Sequence, residues 1–276
     1  MQIVGIDVSY LCIRNLYIGK REVGIFSAQR AVLATLHEFQ ALERSFMPDR
    51  MVFCFEHPHL YRKDWFPDYK QKRHQKELPP EEKEALRDLY REIDNLLSTY
   101  LPKIGYKNLA YVDGFESDDA LAYLASIVTH DDRLVIVSDD ADLFQCLTPE
   151  VSMYSPRLRR MRGARWFRKE FGFEPPEWAT VKELFGCPSD NVPGIPGIGK
   201  QTALKFVRGQ LPEGHRALEI IHGAQEIRKR NRMLTALPMP NPPMPFPRLR
   251  LEEDDISLSG WTEVVRHLRK NERCSV

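Results

Sequence analysis

Leu134-Val-Ile-Val-Ser-Asp-Asp-Ala-Asp142 joins a short apolar run to a cluster of carboxylates. Two other stretches repeat this arrangement, namely Gln2-Ile-Val-Gly-Ile-Asp7 and Met51-Val-Phe-Cys-Phe-Glu56. Short apolar runs rich in β-branched residues are typical of strands that are buried on both faces. The sequence therefore predicts three buried strands, each of which is followed by an acidic side chain.

Helical patterns separate these strands. Residues 30–46 place apolar side chains at helical spacing, and a second such pattern begins with Pro79-Pro80-Glu81-Glu82, where prolines and acids are typical of a first helical turn. Residues 106–112 predict a weak strand and residues 118–129 a helix. Strands that alternate with helices indicate an α/β fold with a mostly parallel sheet. Functional residues of such sheets collect just beyond the carboxyl ends of the strands, where Asp7, Glu56 and Asp140 lie.

The alternation of strands and helices stops near residues 175–185, which predicts a core over residues 1–178 and a helical region over residues 179–276. Residues 238–247 contain six prolines in ten positions and cannot be helical, so we expect an extended strap. Residues 261–270 predict a closing amphipathic helix.

Composition limits the class of protein. No apolar run approaches the length of about 20 residues that a membrane helix needs, and the amino terminus has no secretory leader. We therefore expect a cytoplasmic protein that makes no membrane contact. The five cysteines are scattered without a CxxC pair, which indicates neither a disulfide framework nor a zinc site. The net charge is only +1, but acidic and basic residues are segregated into clusters, as expected of a metal pocket beside phosphate-binding surfaces.

Carboxylates from separate segments are the ligands that a magnesium site needs, because Mg²⁺ prefers oxygen and keeps several waters. Taken singly, each acid has a simpler explanation as a helix cap or a turn residue. Several acids aimed at one sheet edge would repel one another unless cations held them together. The candidate ligands are Asp7, Glu56, Glu116, Asp118, Asp119, Asp140, Asp142 and Asp190.

Five blocks in this order resemble the 5′-nuclease and flap-endonuclease family. They are Ile6-Asp7, the Tyr61 to Arg73 block, Glu116-Ser-Asp-Asp-Ala120, Ser138-Asp-Asp-Ala-Asp-Leu143 and Ser189-Asp-Asn-Val-Pro-Gly194. The resemblance implies a PIN-like α/β core, a helical arch over about residues 70–100 and a C-terminal helix–hairpin–helix region.

The resemblance also implies two Mg²⁺ or Mn²⁺ ions. Asp7, Glu56, Glu116 and Asp118 would bind the first ion. Asp140, Asp142 and Asp190 would bind the second, with Asp119 acting through water. This sequence departs from the family pattern at Glu56, where Asp is usual. It departs again at Cys187, where many members have Asp, and because a neutral thiol is a poor magnesium ligand we expect weaker binding of the second ion.

The basic block before residue 73 implies the groups that contact the substrate. By resemblance, Lys70 and Arg62 reach the reacting phosphate and Arg73 lies near the base of the arch. Lys63 and Tyr69 belong to the predicted DNA-binding surface, since cations neutralise phosphates while aromatic rings stack on unpaired bases. A helix with its aromatic stripe in the core is the structural alternative, and we favour it for the neighbouring Trp65 and Phe66.

Gly194-Ile-Pro-Gly197-Ile-Gly199-Lys200, with Lys205 five residues later, predicts a hairpin whose glycines let backbone N–H groups approach a phosphate. A Walker loop is excluded because Gln201 replaces the required Ser or Thr. The run resembles a helix–hairpin–helix within the helix–three-turn–helix of the family, which implies a grip on duplex DNA and a K⁺ ion at the turn. A plain structural hairpin is the alternative.

These features predict a freestanding, monomeric 5′–3′ exonuclease or flap endonuclease of a bacterial cell or a phage-infected host. It would hydrolyse DNA at a 5′ flap, nick or 5′ end by a two-metal mechanism, leaving a 5′-phosphate and a 3′-hydroxyl, in replication, primer removal or recombination. A noncatalytic DNA-binding protein of the same fold is the alternative, indicated by Glu56 and Cys187. A PIN-type ribonuclease is disfavoured by the hairpin.

Overall fold

The three apolar runs of the sequence form the three strands that were predicted from them, β1, β2 and β4 in the list below. The computed structural model describes residues 1–71 and 77–274. The strands are β1 (Gln2–Asp7), β2 (Arg50–Cys54), β3 (Leu109–Ala110), β4 (Arg133–Val137), β5 (Val151–Ser155), β6 (Arg160–Arg162), β7 (Gly186–Cys187) and β8 (Val192–Pro193). The weak strand predicted over residues 106–112 is thus confined to two residues.

The helices cover both faces of the sheet formed by β1 to β6. They are α1 (Val8–Val23), α2 (Ala28–Phe46), α3 (Tyr61–Trp65), α4 (Pro80–Asn95), α5 (Leu101–Ile104), α6 (Ser117–Ile127), α7 (Ala164–Phe171), α8 (Trp178–Phe185), α9 (Lys200–Val207), α10 (Arg216–Gly223), α11 (Gln225–Thr235) and α12 (Leu258–Cys274). None of the described helices combines the length and apolarity needed to cross a membrane.

The main sheet has the strand order β3-β2-β1-β4-β5-β6, and all of its neighbouring strands are parallel except β5 and β6. The predicted α/β class with a mostly parallel sheet is therefore confirmed. The chain builds outward from β1 to β3 and then returns to place β4 on the other side of β1. Open parallel sheets bind ligands where the strand order reverses in this way. Asp7 ends β1 at that point and pairs in register with Cys54.

Side chains of successive strand residues enter two different cores, because a pleated strand points them alternately to its two faces. In β4, Leu134 and Ile136 join the core beneath α6 and α8, whereas Val135 and Val137 join the core beneath α1, α2 and α4. Gly5 of β1 allows α6 to pack closely, because a Cβ there would lie 2.9 Å from Leu121 Cδ2.

The segment from Pro80 onward packs against the sheet layer. Ala85, Leu89 and Ile93 of α4 are buried in the core that contains α1 and α2, and the following residues 96–104 continue that core. The described part of the predicted arch over residues 70–100 therefore does not stand away from the core. Residues 72–76 lie outside the described residues.

The core also continues across the predicted boundary at residue 178. Trp178 and Leu184 of α8 and Ile198 of the following turn belong to the same buried cluster as the strand residues Ile3 and Ile136. The predicted parts 1–178 and 179–276 therefore share packing, and their separation into two domains stays a sequence-based prediction.

An extended strap, residues 236–257, leads from α11 back to the first half of the chain. It contains no helix or strand, as predicted for residues 238–247. Phe246 packs against Phe115 and Tyr123, with ring centroids 5.0 and 4.6 Å apart. The closing helix predicted over residues 261–270 lies within α12, whose Val264 and Leu268 are buried in the core that contains α2.

Candidate active site

A cavity of about 490 Å³ opens at the edge of the sheet where β1, β2 and β4 end. The strands bring together acids that are far apart in the sequence. The charged side chains that line the cavity are Asp7, Arg14, Glu56, Lys70, Glu116, Asp118, Asp139 and Asp140. The predicted convergence of the first-ion ligands with Asp140 is thus present in the structure.

Asp7 is buried at the centre of this edge. Its carboxylate accepts hydrogen bonds from the Tyr10 amide at 3.1 Å, the Ser138 hydroxyl at 3.2 Å and the Ser117 hydroxyl at 3.4 Å. Burial, followed by the nearby charge of Asp140, raises the pKa of Asp7 to about 6. The sequence analysis assigned neither serine a role, although each lies within one of the quoted acidic blocks.

Asp118, in the first turn of α6, carries the same electrostatic strain. Burial raises its pKa well above the usual value for aspartate, and the charges of Asp140 and Asp7 raise it further. An environment that disfavours the ionised form of several carboxylates is one in which a bound cation would stabilise them.

Glu116 has the opposite environment, because cations surround it. The Lys70 ammonium contacts Glu116 Oε1 and lies 3.4 Å from Glu56 Oε1. Burial alone would raise the pKa of Glu116, but the charges of Lys70 and Arg62 outweigh it and lower the pKa to about 2. Lys70 adopts a left-handed backbone conformation (φ 57°), and its amide donates to the Asp190 carbonyl at 2.8 Å. The structure therefore places Lys70 at the cavity, and its contact with the reacting phosphate stays a prediction.

Arg62 does not reach the cavity, and the prediction that it contacts the reacting phosphate is wrong. Its side chain is only 2% exposed. The guanidinium donates to Glu116 Oε2 at 2.9 Å, to Asp119 Oδ1 at 2.8 Å, and to the carbonyls of Leu234 and Ala236 at 3.0 and 3.2 Å. These bonds occupy the guanidinium, so Arg62 fixes the acids in position instead.

Asp119 and Tyr69 are also turned inward. Asp119 is fully buried, and it binds Arg62 and accepts from the Met239 amide at 2.9 Å, so the prediction that it assists the second ion is wrong. Buried Tyr69 donates to Glu116 Oε2 at 2.9 Å, so the prediction that it contacts DNA is wrong. Arg73 lies outside the described residues.

A second cluster adjoins the cavity through Asp142. The ligand atoms of Asp142, Cys187 and Asp190 lie within 4.8 Å of one another, and the Asp142 amide donates to Asp140 Oδ1 at 2.8 Å. Burial raises the pKa of Asp142 to about 6, although the charge of Lys182 opposes this shift. Burial and the charge of Asp142 raise the pKa of Cys187 to about 12, so this side chain is a neutral thiol.

Lys182 is the charged residue that sequence reasoning missed in this cluster. Its ammonium contacts Asp142 Oδ1 and lies 3.9 Å from the Cys187 sulfur. Its neighbours in sequence indicate only the apolar helix α8, so the sequence offers no signal for its role.

Asp139 is held in place by hydrogen bonds within the protein. It accepts from the Tyr10 hydroxyl, the Ser155 hydroxyl and, at 3.1 Å, the Arg157 amide. Asp140, one residue later, is the carboxylate whose charge acts on Asp7 and Asp118.

The glycines of the hairpin after α8 have two different kinds of surroundings. Gly197 (φ 82°) and Gly199, the N-terminal cap of α9, are exposed, and a Cβ on either would meet open space. Lys200 and Lys205 on α9 are exposed as well. Gly194 differs, because a Cβ there would lie 2.1 Å from the Phe185 carbonyl oxygen; close packing against α8, rather than phosphate approach, explains it. Lys63 in α3 is half-buried.

Comparisons with known proteins identify a family and relatives of this chain. Residues 2–172 match the family model described as the 5′-3′ exonuclease, N-terminal resolvase-like domain. A 5′-3′ exonuclease of Bacillus subtilis is 33% identical over 179 residues, which cover 62% of this chain and 56% of that protein. The flap endonuclease Xni of Aliivibrio fischeri is 29% identical over 184 residues, which cover 65% of this chain and 66% of that protein.

Solved structures share the fold. The T5 D15 protein, co-crystallised with metal ions, superposes with a TM-score of 0.72 at 21% identity over 86% of this chain and 90% of that one. Human GEN1 in complex with Holliday junction DNA has a TM-score of 0.55 at 15% identity, over 98% of this chain and 68% of that one. The fold is therefore PIN-like. Because the family model matches most of the chain and the sheet edge carries the acids of the family motifs, this protein belongs to the 5′-nuclease family.

Proposed function

We propose that this protein is a divalent-metal-dependent 5′–3′ exonuclease or flap endonuclease that hydrolyses DNA phosphodiesters and leaves a 5′-phosphate and a 3′-hydroxyl. The observation that carries the proposal is the set of carboxylates from β1, β2, α6 and β4 at one cavity. The family membership supports it, although the chain spans about half the length of its Bacillus relative. Roles in replication, primer removal or recombination follow as part of the same proposal.

The acids at the cavity fit a divalent cation. Burial raises the pKa values of Asp7 and Asp118, and the charge of Asp140 raises both further, so a bound cation would stabilise the ionised carboxylates. Oxygen is the ligand that Mg²⁺ and Mn²⁺ prefer. Asp7, Glu56, Glu116 and Asp118 would hold the first ion, and Asp140, Asp142 and Asp190 the second. Bound divalent ions would neutralise the phosphate and lower the pKa of the attacking water.

The protein's own groups complete the chemistry. Lys70 places positive charge at the cavity wall, where negative charge develops on a phosphate during hydrolysis. Its backbone is tied to Asp190 and its ammonium to Glu116, so one residue links the two predicted ion sites. Arg62 and the serines beside Asp7 hold the carboxylates in fixed orientations.

A metal titration on defined DNA substrates tests the proposal. The protein would be incubated with labelled 5′-flap, nicked and blunt duplexes at rising Mg²⁺ or Mn²⁺, with EDTA as the reference, and product lengths would be measured. We expect cleavage that depends on the metal and on a free 5′ end. Tight binding to the flap duplex without metal-dependent cleavage would instead establish a noncatalytic DNA-binding protein.

Cys187 provides a specific prediction about the second ion. The neutral thiol gives this cluster one carboxylate fewer than a cluster with Asp there. We expect Cys187→Asp to lower the Mg²⁺ concentration for half-maximal cleavage by about tenfold, because an added carboxylate is a hard oxygen ligand. Cys187→Ser is the matched control, since it removes the sulfur without adding charge. An unchanged metal requirement in Cys187→Asp would contradict the assignment of the second ion to this cluster.

The hairpin would bind the duplex backbone through the exposed N-terminus of α9, and a K⁺ ion at its turn stays part of this proposal. We expect Lys200→Ala to weaken binding to flap and plain duplex alike. We also expect the slope of log affinity against log salt concentration to become shallower by about one unit. Fluorescence anisotropy at several salt concentrations measures both effects. Lys107→Ala is the matched control. This exposed lysine precedes β3 and therefore lies at the amino ends of the parallel strands, opposite the cavity. Equal effects of the two variants would contradict the assignment.

A further inference from the structure

Two histidines and an aspartate form a cluster outside the catalytic cavity. His57 and His59 follow Glu56 in the loop after β2, and Asp113 lies in the loop before Glu116. The Asp113 carboxylate is 2.8 Å from His59 Nδ1 and 3.1 Å from His57 Nδ1. The ligand atoms of all three residues lie within 4.8 Å of one another. None of the three lines the catalytic cavity.

The backbone holds these two loops together independently of the cluster. The Tyr61 amide donates to the Gly114 carbonyl at 2.9 Å, and the His57 amide donates to the Phe115 carbonyl at 3.3 Å. Gly114 has a φ of 84°, and a Cβ there would lie 2.2 Å from the Tyr61 ring. Only glycine allows this approach, so the backbones of the two loops are fixed relative to each other.

The donor set differs in chemistry from the catalytic acids. Imidazole nitrogen combined with carboxylate oxygen suits Zn²⁺ and neighbouring transition metals, whereas Mg²⁺ selects oxygen ligands. His59 also has an orienting partner, because Asp64 Oδ2 lies 2.9 Å from its Nε2. A carboxylate on the second ring nitrogen is the usual arrangement for a metal-bound histidine, since it fixes the tautomer and the ring orientation.

We propose that His57, His59 and Asp113 bind a Zn²⁺ ion, with water completing the coordination shell. The ion would join the loop that carries Glu56 to the loop that leads into Glu116. It would therefore brace two of the catalytic acids from outside the cavity, through a metal of a different class from the one the reaction uses.

Zn²⁺ titration of the full chain tests this proposal. Binding would be measured by competition with a chromophoric chelator, in a large excess of Mg²⁺ that occupies the oxygen-only sites. We expect one Zn²⁺ per chain, and at least tenfold weaker binding in His57→Ala, His59→Gln and Asp113→Asn. His59→Gln keeps a polar side chain in the loop, so a loss of binding there reports the missing imidazole. A rise in the thermal midpoint with Zn²⁺ in the parent protein but not in His59→Gln provides a second readout.

Two control variants separate this site from other zinc ligands. His130→Ala removes an exposed histidine (side chain 86% exposed) that has its own aspartate partner, and it should leave Zn²⁺ binding unchanged. Cys187→Ser removes the thiol of the second catalytic cluster and should also leave it unchanged. Unaltered binding in His59→Gln, or a loss of the same site in Cys187→Ser, would overturn the proposal.

Discussion

Replacing Asp118 with Asn is expected to reduce flap cleavage by about 10³-fold while leaving flap binding nearly unchanged. A carboxylate that holds a catalytic ion accounts for several kcal/mol of transition-state stabilisation, and each 1.36 kcal/mol corresponds to about tenfold in rate. The hairpin, which carries the proposed duplex contacts, is unaffected by the change. Single-turnover cleavage and anisotropy binding, measured on the same flap substrate, separate the two effects.

The same substitution should stabilise the metal-free protein. Asp118 is costly to ionise because of burial and the charges of Asp140 and Asp7, and the amide removes that cost. We expect the thermal midpoint in EDTA to rise by about 2 °C or more. Asp131→Asn, in the exposed turn before β4, is the matched control and should change neither cleavage nor stability. Undiminished cleavage by Asp118→Asn would contradict the catalytic assignment.

The thermal stability of the parent protein should depend on pH, and the direction of this dependence follows from the raised pKa of Asp7. Burial and Asp140 raise the pKa of Asp7 from 3.8 to about 6. The folded state therefore holds this proton more tightly than the unfolded state, and the resulting stability is present at low pH and lost as the pH rises through about 6. Without divalent ions, the thermal midpoint should fall across this interval. Saturating Mg²⁺ should reduce the fall.

Replacing Arg62 with Met is expected to destabilise the folded protein by about 3–5 kcal/mol. The guanidinium binds Glu116 and Asp119, both of which are buried, so its removal takes away the cation that pairs with Asp119 and one of the cations that pair with Glu116. Methionine retains the apolar stem, which limits the loss of packing to the charged end. Urea unfolding monitored by far-UV circular dichroism measures the free energy of unfolding.

Arg91→Met is the matched control for Arg62→Met. Its guanidinium pairs with Asp88 at 3.0 Å, but its side chain is 67% exposed, and exposed pairs contribute about 0–1 kcal/mol. A loss below about 1 kcal/mol in Arg62→Met would show that the buried carboxylates do not depend on this cation. It would also restore Arg62 as a candidate for substrate contact.

The convergence of Asp7, Glu56 and Asp140 could be predicted from the sequence because it follows from strand topology. Once the apolar runs before Asp7, Glu56 and Asp140 form parallel neighbours, their carboxyl ends must meet at one edge. The same reasoning could not separate Asp118 from Asp119, which are adjacent in one helical turn. Their roles differ because one faces the cavity and the other faces Arg62, and that choice depends on the rotation of α6 against the sheet.

The cations were harder to assign than the acids. Arg62 and Lys70 occur in one basic block, yet the structure buries the first among carbonyls from α11 and the strap, and places the second at the cavity. Those carbonyls belong to residues more than 170 positions later in the chain, for example Leu234. Local pattern carries no information about such distant partners. Lys182 was missed for the same reason, since its neighbours in sequence indicate only an ordinary apolar helix.

The return of α12 to α2 also constrains how the protein is made. Ribosomes synthesise the chain from its amino terminus, and domains generally fold as their residues emerge. Val264 and Leu268 fill a core whose other members are translated far earlier, so the part of the apolar surface of α2 that contacts α12 stays uncovered until α12 has been synthesised. Nascent chains arrested before α12 should consequently engage chaperones, and release of α12 from the ribosome should end the engagement.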